Sequence, residues 1–325
     1  VTPAELSRTV LRVVRRAVDE GVLRAPVPER AVVERPRPGG RGDYATNVAL
    51  KLAGPAGRPA REVAEILRAL LIGYEAISDV EVTGPGFLNV TLAQDTHASV
   101  VRTVLTQGHA YGHGGALAGD VVRVGRGPLA DAVARLAHAQ GATVVRTETG
   151  EPGSLPPALV ARLGRDAAVW SLIWPTATAA PDDLLVQRET NPLFRVRYAH
   201  ARTRALVRNA GTLGFEGGEG GEGGEGEVRG EGGLEREGYQ LVRVLVDYPG
   251  VLEAAARHRA PDRLARHLDM AAEAFFRFHD THPVLPPGDE KPSVAHRSRL
   301  ALAEATGTVL AGGLSLLGIS APEHL

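Results

Sequence analysis

Cysteine is absent from the 325 residues. That excludes disulfides and thiolate-held metals, and thiol chemistry places no constraint on the compartment. Lysine is nearly absent as well: Lys51 and Lys291 carry all of it, and every other basic residue is arginine. With so much alanine, glycine and valine beside that arginine, the composition points to GC-rich coding, so a single arginine is weak evidence of function. No window approaches the roughly 18 consecutive apolar residues of a membrane helix. Charge of one sign is missing too. The net charge of −1 advertises no polyanion partner for the chain as a whole, and only local clustering can argue for one. The opening stretch, Val1 to Glu20, alternates apolar and arginine positions at helical spacing. It has no uninterrupted apolar run and no small-residue cleavage site, so it is not read as a signal peptide and a cytoplasmic protein is expected.

What is present is enough for two or three domains with real cores, since 43% of residues are hydrophobic. Residues 1–115 read as an α+β unit. Leu6, Val10, Val13, Val14 and Ala17 share a helical face, and Pro26 and Pro28 are expected to stop that helix. Two further helices are predicted over 43–53 and 60–72, with Asp43 as an N-cap and a turn at 54–59. Strands are predicted at Val80–Val82 and Phe87–Leu92, around the turn Gly84-Pro85-Gly86, then a helix over Asp95–Gln107. Residues 116–157 hold one strand–helix–strand pattern: Val121–Val124, Leu129–Ala139 and Thr143–Thr147. That is too little for an independent doubly wound domain, and Glu151 to Pro157 breaks the chain. From 158 to the end the pattern is helical, with breaks expected at Pro249-Gly250, at Pro261 and over His282–Pro292. A Gly/Glu low-complexity stretch at 216–233 buries almost nothing and reads as a disordered surface loop. The last helix, about Arg297 to Leu317, is strongly apolar on one side.

The run Asn191-Pro192-Leu193-Phe194-Arg195-Val196-Arg197-Tyr198-Ala199-His200-Ala201-Arg202 resembles the opening of the DALR-type anticodon-binding domain of arginyl-tRNA synthetases. Tyr248-Pro249, Ala260 to Leu264, Ala274-Phe275-Phe276, Arg299 to Leu302 and the ending Leu316-Leu317-Gly318-Ile319-Ser320-Ala321-Pro322-Glu323 follow in that domain's usual order. The resemblance covers residues 158–325 and implies an all-α helical bundle. Gly42 to Ala49 and Gly84 to Val90 resemble the same family's N-terminal additional domain, an α+β fold. The centre departs from the family. Gly127-Pro128-Leu129 and Asp131 to Leu136 resemble the flanks of its HIGH motif, and Leu163 to Val169 the segment after KMSKS. The HIGH histidines are gone, His109 and His113 stand in the wrong context, and two isolated lysines cannot supply KMSKS. Residues 116–157 therefore resemble a degenerate remnant of the class I catalytic domain.

Arg195, Arg197, Arg202, Arg204 and Arg208 lie in one stretch without an acid. At helical spacing Arg197, Arg204 and Arg208 share a face, as do Arg195 and Arg202. Such stripes bind RNA phosphates or simply face solvent. Tyr198 and His200 are placed either to meet an unstacked anticodon base or to pack their helix on its neighbours. Leu325 stands where the family ends in methionine. Phe87 and Asn89 match positions that approach the tRNA elbow in the family; otherwise Phe87 fills core and Asn89 closes a turn. His279 and His282, with Asp280 nearby, read as a surface cluster rather than a metal site. No catalytic residue, metal or cofactor is expected. The expected function is a non-catalytic tRNA binder, with arginine tRNA the partner the resemblance implies. The alternatives are a protein-interaction module beside a synthetase or charged-tRNA-using enzyme, and residual arginine–tRNA ligase activity, which the lost motifs oppose.

Overall fold

The computed structural model describes residues 3–34, 36, 42–74, 76–92, 95–147, 155–174, 181–218 and 236–325. Contacts divide the chain into two compact units, Val1–Val100 and Val101–Leu325. The boundary falls earlier than 115, and residues 116–147 belong to the second unit instead of standing alone.

The first unit is an antiparallel sheet covered by helices. Helix α1 (Pro3–Asp19) buries Leu6, Val10, Val13, Val14 and Ala17, the stripe that the spacing foretells. It ends before the two prolines. Gly21 takes φ 70°, a left-handed conformation that glycine adopts without steric cost, and the Leu23 amide then caps the Ala17 carbonyl. Strands β1 (Val33–Glu34), β2 (Tyr44–Thr46), β3 (Ile77–Thr83) and β4 (Phe87–Leu92) pair in the order β1-β2-β4-β3. The predicted helix over 43–53 is half wrong. Its first part is β2, and Asp43 is no helix cap: it is buried, and its carboxylate accepts from the Leu92 amide at 2.9 Å. Helix α2 (Val48–Ala56) starts only after Asn47 and runs through Pro55; α3 (Ala60–Leu71) follows. Alternation along β4 sets Leu88, Val90 and Leu92 on one face and Phe87, Asn89 and Thr91 on the other. Helices α2 and α3 pack on this sheet, and α1 packs on α3.

The second unit begins within α4 (Asp95–Gln107). Strands β5 (Val121–Val124) and β6 (Thr143–Arg146) flank α5 (Pro128–Ala139) and pair in parallel, in register from Val121↔Thr143 to Val124↔Arg146. Short helices α6 (Pro157–Leu163) and α7 (Arg165–Ile173) follow. The bulk is a bundle of α8 (Pro192–Thr212), α9 (Arg236–His258), α10 (Pro261–Thr281) and α11 (Val294–Leu317). No break occurs at Pro249-Gly250: α9 passes through both. Helix α11 is the hub, packing on α5, α8, α9 and α10. It is long and apolar enough to cross a membrane, contrary to the sequence reading, yet 83% of its most apolar stretch is buried inside the protein. A capping box between Ser293 and His296 starts it, and Gly318 in left-handed conformation ends it. The Gly/Glu loop lies outside the described residues except at its start, where Gly217 packs on Ala301 and the Gly218 amide donates to the Arg297 carbonyl.

Candidate nucleic-acid interface

Helix α8 is set by its first residue. Asn191 accepts from the Phe194 amide at 3.2 Å and donates to the Leu184 and Val186 carbonyls, so one buried amide both caps the helix and ties down the preceding loop. Pro192 suits the first turn. Leu193, Val196, Ala199, His200, Thr203, Leu206 and Ala210 face inward, which leaves the arginines and Tyr198 outside or at the edges.

The arginines are not an unengaged stripe. Distant segments supply the acids that the local sequence lacks. Arg195 makes a bidentate pair with Asp269 of α10, at 2.7 and 2.6 Å. Burial pushes the Asp269 carboxyl up, and Arg195 offsets part of that rise. Arg197 lies 4.0 Å from Asp166 of α7. Arg204 and Arg208 both reach Glu323, at 3.2 and 3.9 Å. Arg202 donates to His279 at 3.3 Å; burial, then this guanidinium, holds His279 below the ordinary imidazole range.

Tyr198 and His200 part company. Tyr198 is 42% exposed and stacked between Phe194 and Phe276, with ring centroids 5.5 Å apart on both sides. His200 is buried; its Nδ1 lies 2.9 Å from the Pro322 carbonyl, and burial depresses its pKa. A ring so enclosed stacks on no base; it fastens the tail to α8. Sequence spacing showed Phe194 and Tyr198 one turn apart, whereas Phe276 joins them only through the packing of α8 on α10.

Beside this row opens a cleft of about 500 Å³ lined by residues of α6, α7, α8 and the tail, among them Asn191, Phe194, Arg165, Arg197, Ser320 and Leu325. Leu325 is 56% exposed, so the terminal residue forms part of its rim. The Arg197 Nε is buried with no hydrogen-bond partner among the described residues. A second hollow of about 650 Å³ lies beneath the tail, between His109, His200 and Arg204.

In the first unit the two proposed residues also separate. Phe87 is 40% exposed and does not fill the core; Asn89 is buried in the central strand and donates to Thr83 Oγ1 at 3.1 Å. It closes no turn. His279 and His282 hold no common ligand position. His282 is buried and stacks on Phe278 at 5.2 Å, a correction to the surface cluster, while His279 leans on Phe275.

The second unit is thus a helical bundle with an aromatic row beside a largely apolar cleft, and the first is an α+β unit. Residues 196–325 match the family model of the DALR anticodon binding domain, and residues 6–92 that of the arginyl tRNA synthetase N terminal domain. Two stretches of the chain are therefore similar to these two domains, one in each unit. It is 27% identical to an arginine–tRNA ligase of Frankia alni, over an alignment of 558 positions spanning all of both chains. Its fold is similar to the arginyl-tRNA synthetase of Thermus thermophilus, with TM-score 0.62 at 13% identity over all of both chains. It is also similar to that of Plasmodium falciparum, with TM-score 0.65 at 9% identity over 99% of each.

Proposed function

We propose that this chain is a non-catalytic arginyl-tRNA synthetase paralogue that binds tRNA, its helical unit taking the anticodon stem-loop and its N-terminal unit the elbow. The observation that carries this reading is the row Phe194–Tyr198–Phe276 beside a cleft where a buried Arg197 donor lacks a partner among the described residues. An unstacked base offers a π face to the exposed Tyr198 ring and acceptor atoms to a guanidinium. The Arg197 side chain, 26% exposed, lines that cleft and brings a cation to it.

Ligation finds no support in the residues. Adenylate formation needs positive charge placed against the charge that develops on phosphate. Lys51 lies on α2 and Lys291 in the connection before α11, so neither belongs to the β5–α5–β6 segment. Among the described residues that segment pairs two strands, less than the sheet that binds a nucleotide at its switch point. The alignment to the ligase of Frankia alni has far more positions than this chain has residues, which supports a long stretch of that relative with no counterpart here.

The test is affinity for an arginine tRNA and two unrelated tRNAs at two salt concentrations. Selective binding, micromolar or tighter, is expected. Equal, weak and steeply salt-sensitive binding would reduce the reading to general phosphate attraction, and no binding would refute it. Arginine- and tRNA-dependent pyrophosphate release by the pure protein would overturn the non-catalytic part. A second reading, a protein-interaction module, is favoured by one observation: the α8 arginines already have partners within the chain. Capture of a synthetase after RNase treatment would support it.

A further inference from the structure

The contrast between α8 and α1 locates a second cationic surface. Arg8, Arg12 and Arg15 stand at i, i+4 and i+7 of α1, all exposed. Helical rise puts them at about 6 and 10.5 Å along one face. Among the described residues none of the three has an ion pair or a side-chain hydrogen bond. Asp19, one turn beyond Arg15, makes no ion pair with it, whereas the adjacent Arg16 is held by Glu20 at 2.7 Å. Like charges one turn apart destabilise a helix by a few tenths of a kcal/mol per pair. Here that repulsion is left uncompensated, while on α8 Arg195, Arg197, Arg204 and Arg208 each have a carboxylate within 4.0 Å.

The opposite face of the same unit cannot serve a polyanion equally. The register sets Glu81 across from Asn89, Asp79 across from Thr91 and Glu34 across from Ala45, so carboxylates share the outer sheet with Phe87. That face suits a single base and repels phosphates. Helix α1 lies on the helical side, and its outer surface is a separate track.

We infer that the Arg8–Arg12–Arg15 face of α1 binds the phosphate backbone of an RNA. This rests on the tRNA-binding reading, which gives the chain a polyanion partner, and adds a contact surface outside both the aromatic cleft and the outer sheet. Three released counterions per bound RNA are its thermodynamic signature, about 0.7–0.9 each in the slope of log affinity against log salt.

The experiment compares the full-length wild type with Arg8→Gln/Arg12→Gln/Arg15→Gln, and with a charge-matched control, Arg61→Gln/Arg123→Gln/Arg263→Gln, taken from exposed positions elsewhere. The probe is an arginine tRNA transcript in a salt series, with circular dichroism to verify folding. The α1 variant is expected to bind roughly tenfold more weakly at low salt, with a slope shallower by about 2–3, while the control stays near wild type. Unchanged affinity and slope in the α1 variant, beside a wild type that binds, would overturn this inference and leave the anticodon reading intact. An equal loss in the control would assign the effect to bulk charge and overturn it too. Retained tRNA binding with loss of binding to phosphatidylserine vesicles would make the face a membrane contact, again against the inference. A wild type that binds no tRNA removes both readings.

Discussion

At the residue scale, Tyr198 is where binding and folding separate most cleanly. Its ring is half exposed and stacked on two phenylalanines, so Tyr198→Ala removes a platform without opening the core. We expect tRNA affinity to fall by about 1–3 kcal/mol, the worth of one base–aromatic stack, with little change in thermal midpoint; anisotropy and calorimetry on the same sample check both. Asp269→Asn should do the reverse. The Arg195–Asp269 pair is largely shielded, with side chains 24% and 15% exposed. Losing one charge should cost about 1–3 kcal/mol, between the values for exposed and fully buried pairs, as read from a urea midpoint. Local sequence showed the arginines and Tyr198 but not their partners. Asp269, Glu323 and Asp166 lie far from α8 in the chain, and only the fold brings them to it. The same reason hid the fate of His200, whose acceptor is the Pro322 carbonyl.

Among the elements, glycines in the long helices test how tightly the bundle closes. Gly250 sits inside α9 with open space around it, whereas a Cβ at Gly307 in α11 would collide with Thr203 of α8. Gly250→Ala should stabilise by about 0.5–1 kcal/mol through helix propensity alone. Gly307→Ala gains the same propensity but should lose about 1–3 kcal/mol net of it to overpacking; thermal unfolding of the two variants gives opposite signs. The long helices were legible because apolar periodicity over twenty residues is unambiguous, and β4, β5 and α5 because their turn signals are sharp. The strand β2 was not. Three residues carry no period, and Asp43 before a helix imitates a cap until the Leu92 amide claims its carboxylate. Pro249 was read as a stop because local rules make it one, but α9 packs on α10, α5 and α11, and tertiary burial carries the helix through.

For the whole molecule, three imidazoles, of which His200 is buried, His279 half-buried and His113 exposed, set a direction for pH. Desolvation holds His113, His200 and His279 below the ordinary histidine value. Their folded pKa is thus depressed, and below about 6.5 the unfolded chain binds more protons than the folded one. Stability should be full above that pH and decline beneath it. A urea midpoint lower at pH 5.5 than at pH 7.5, with a smaller difference in His200→Gln, is the expected outcome. The placement of α11 has a consequence for synthesis. It packs on α5, α8, α9 and α10, yet follows all of them along the chain. At about 5–20 residues per second, the apolar faces of α8, α9 and α10 wait on the order of ten seconds for the helix that covers them. A nascent chain stalled before residue 294 would be a natural client for a chaperone, and rare codons placed after that point should lower the soluble yield more than the same codons placed within α1.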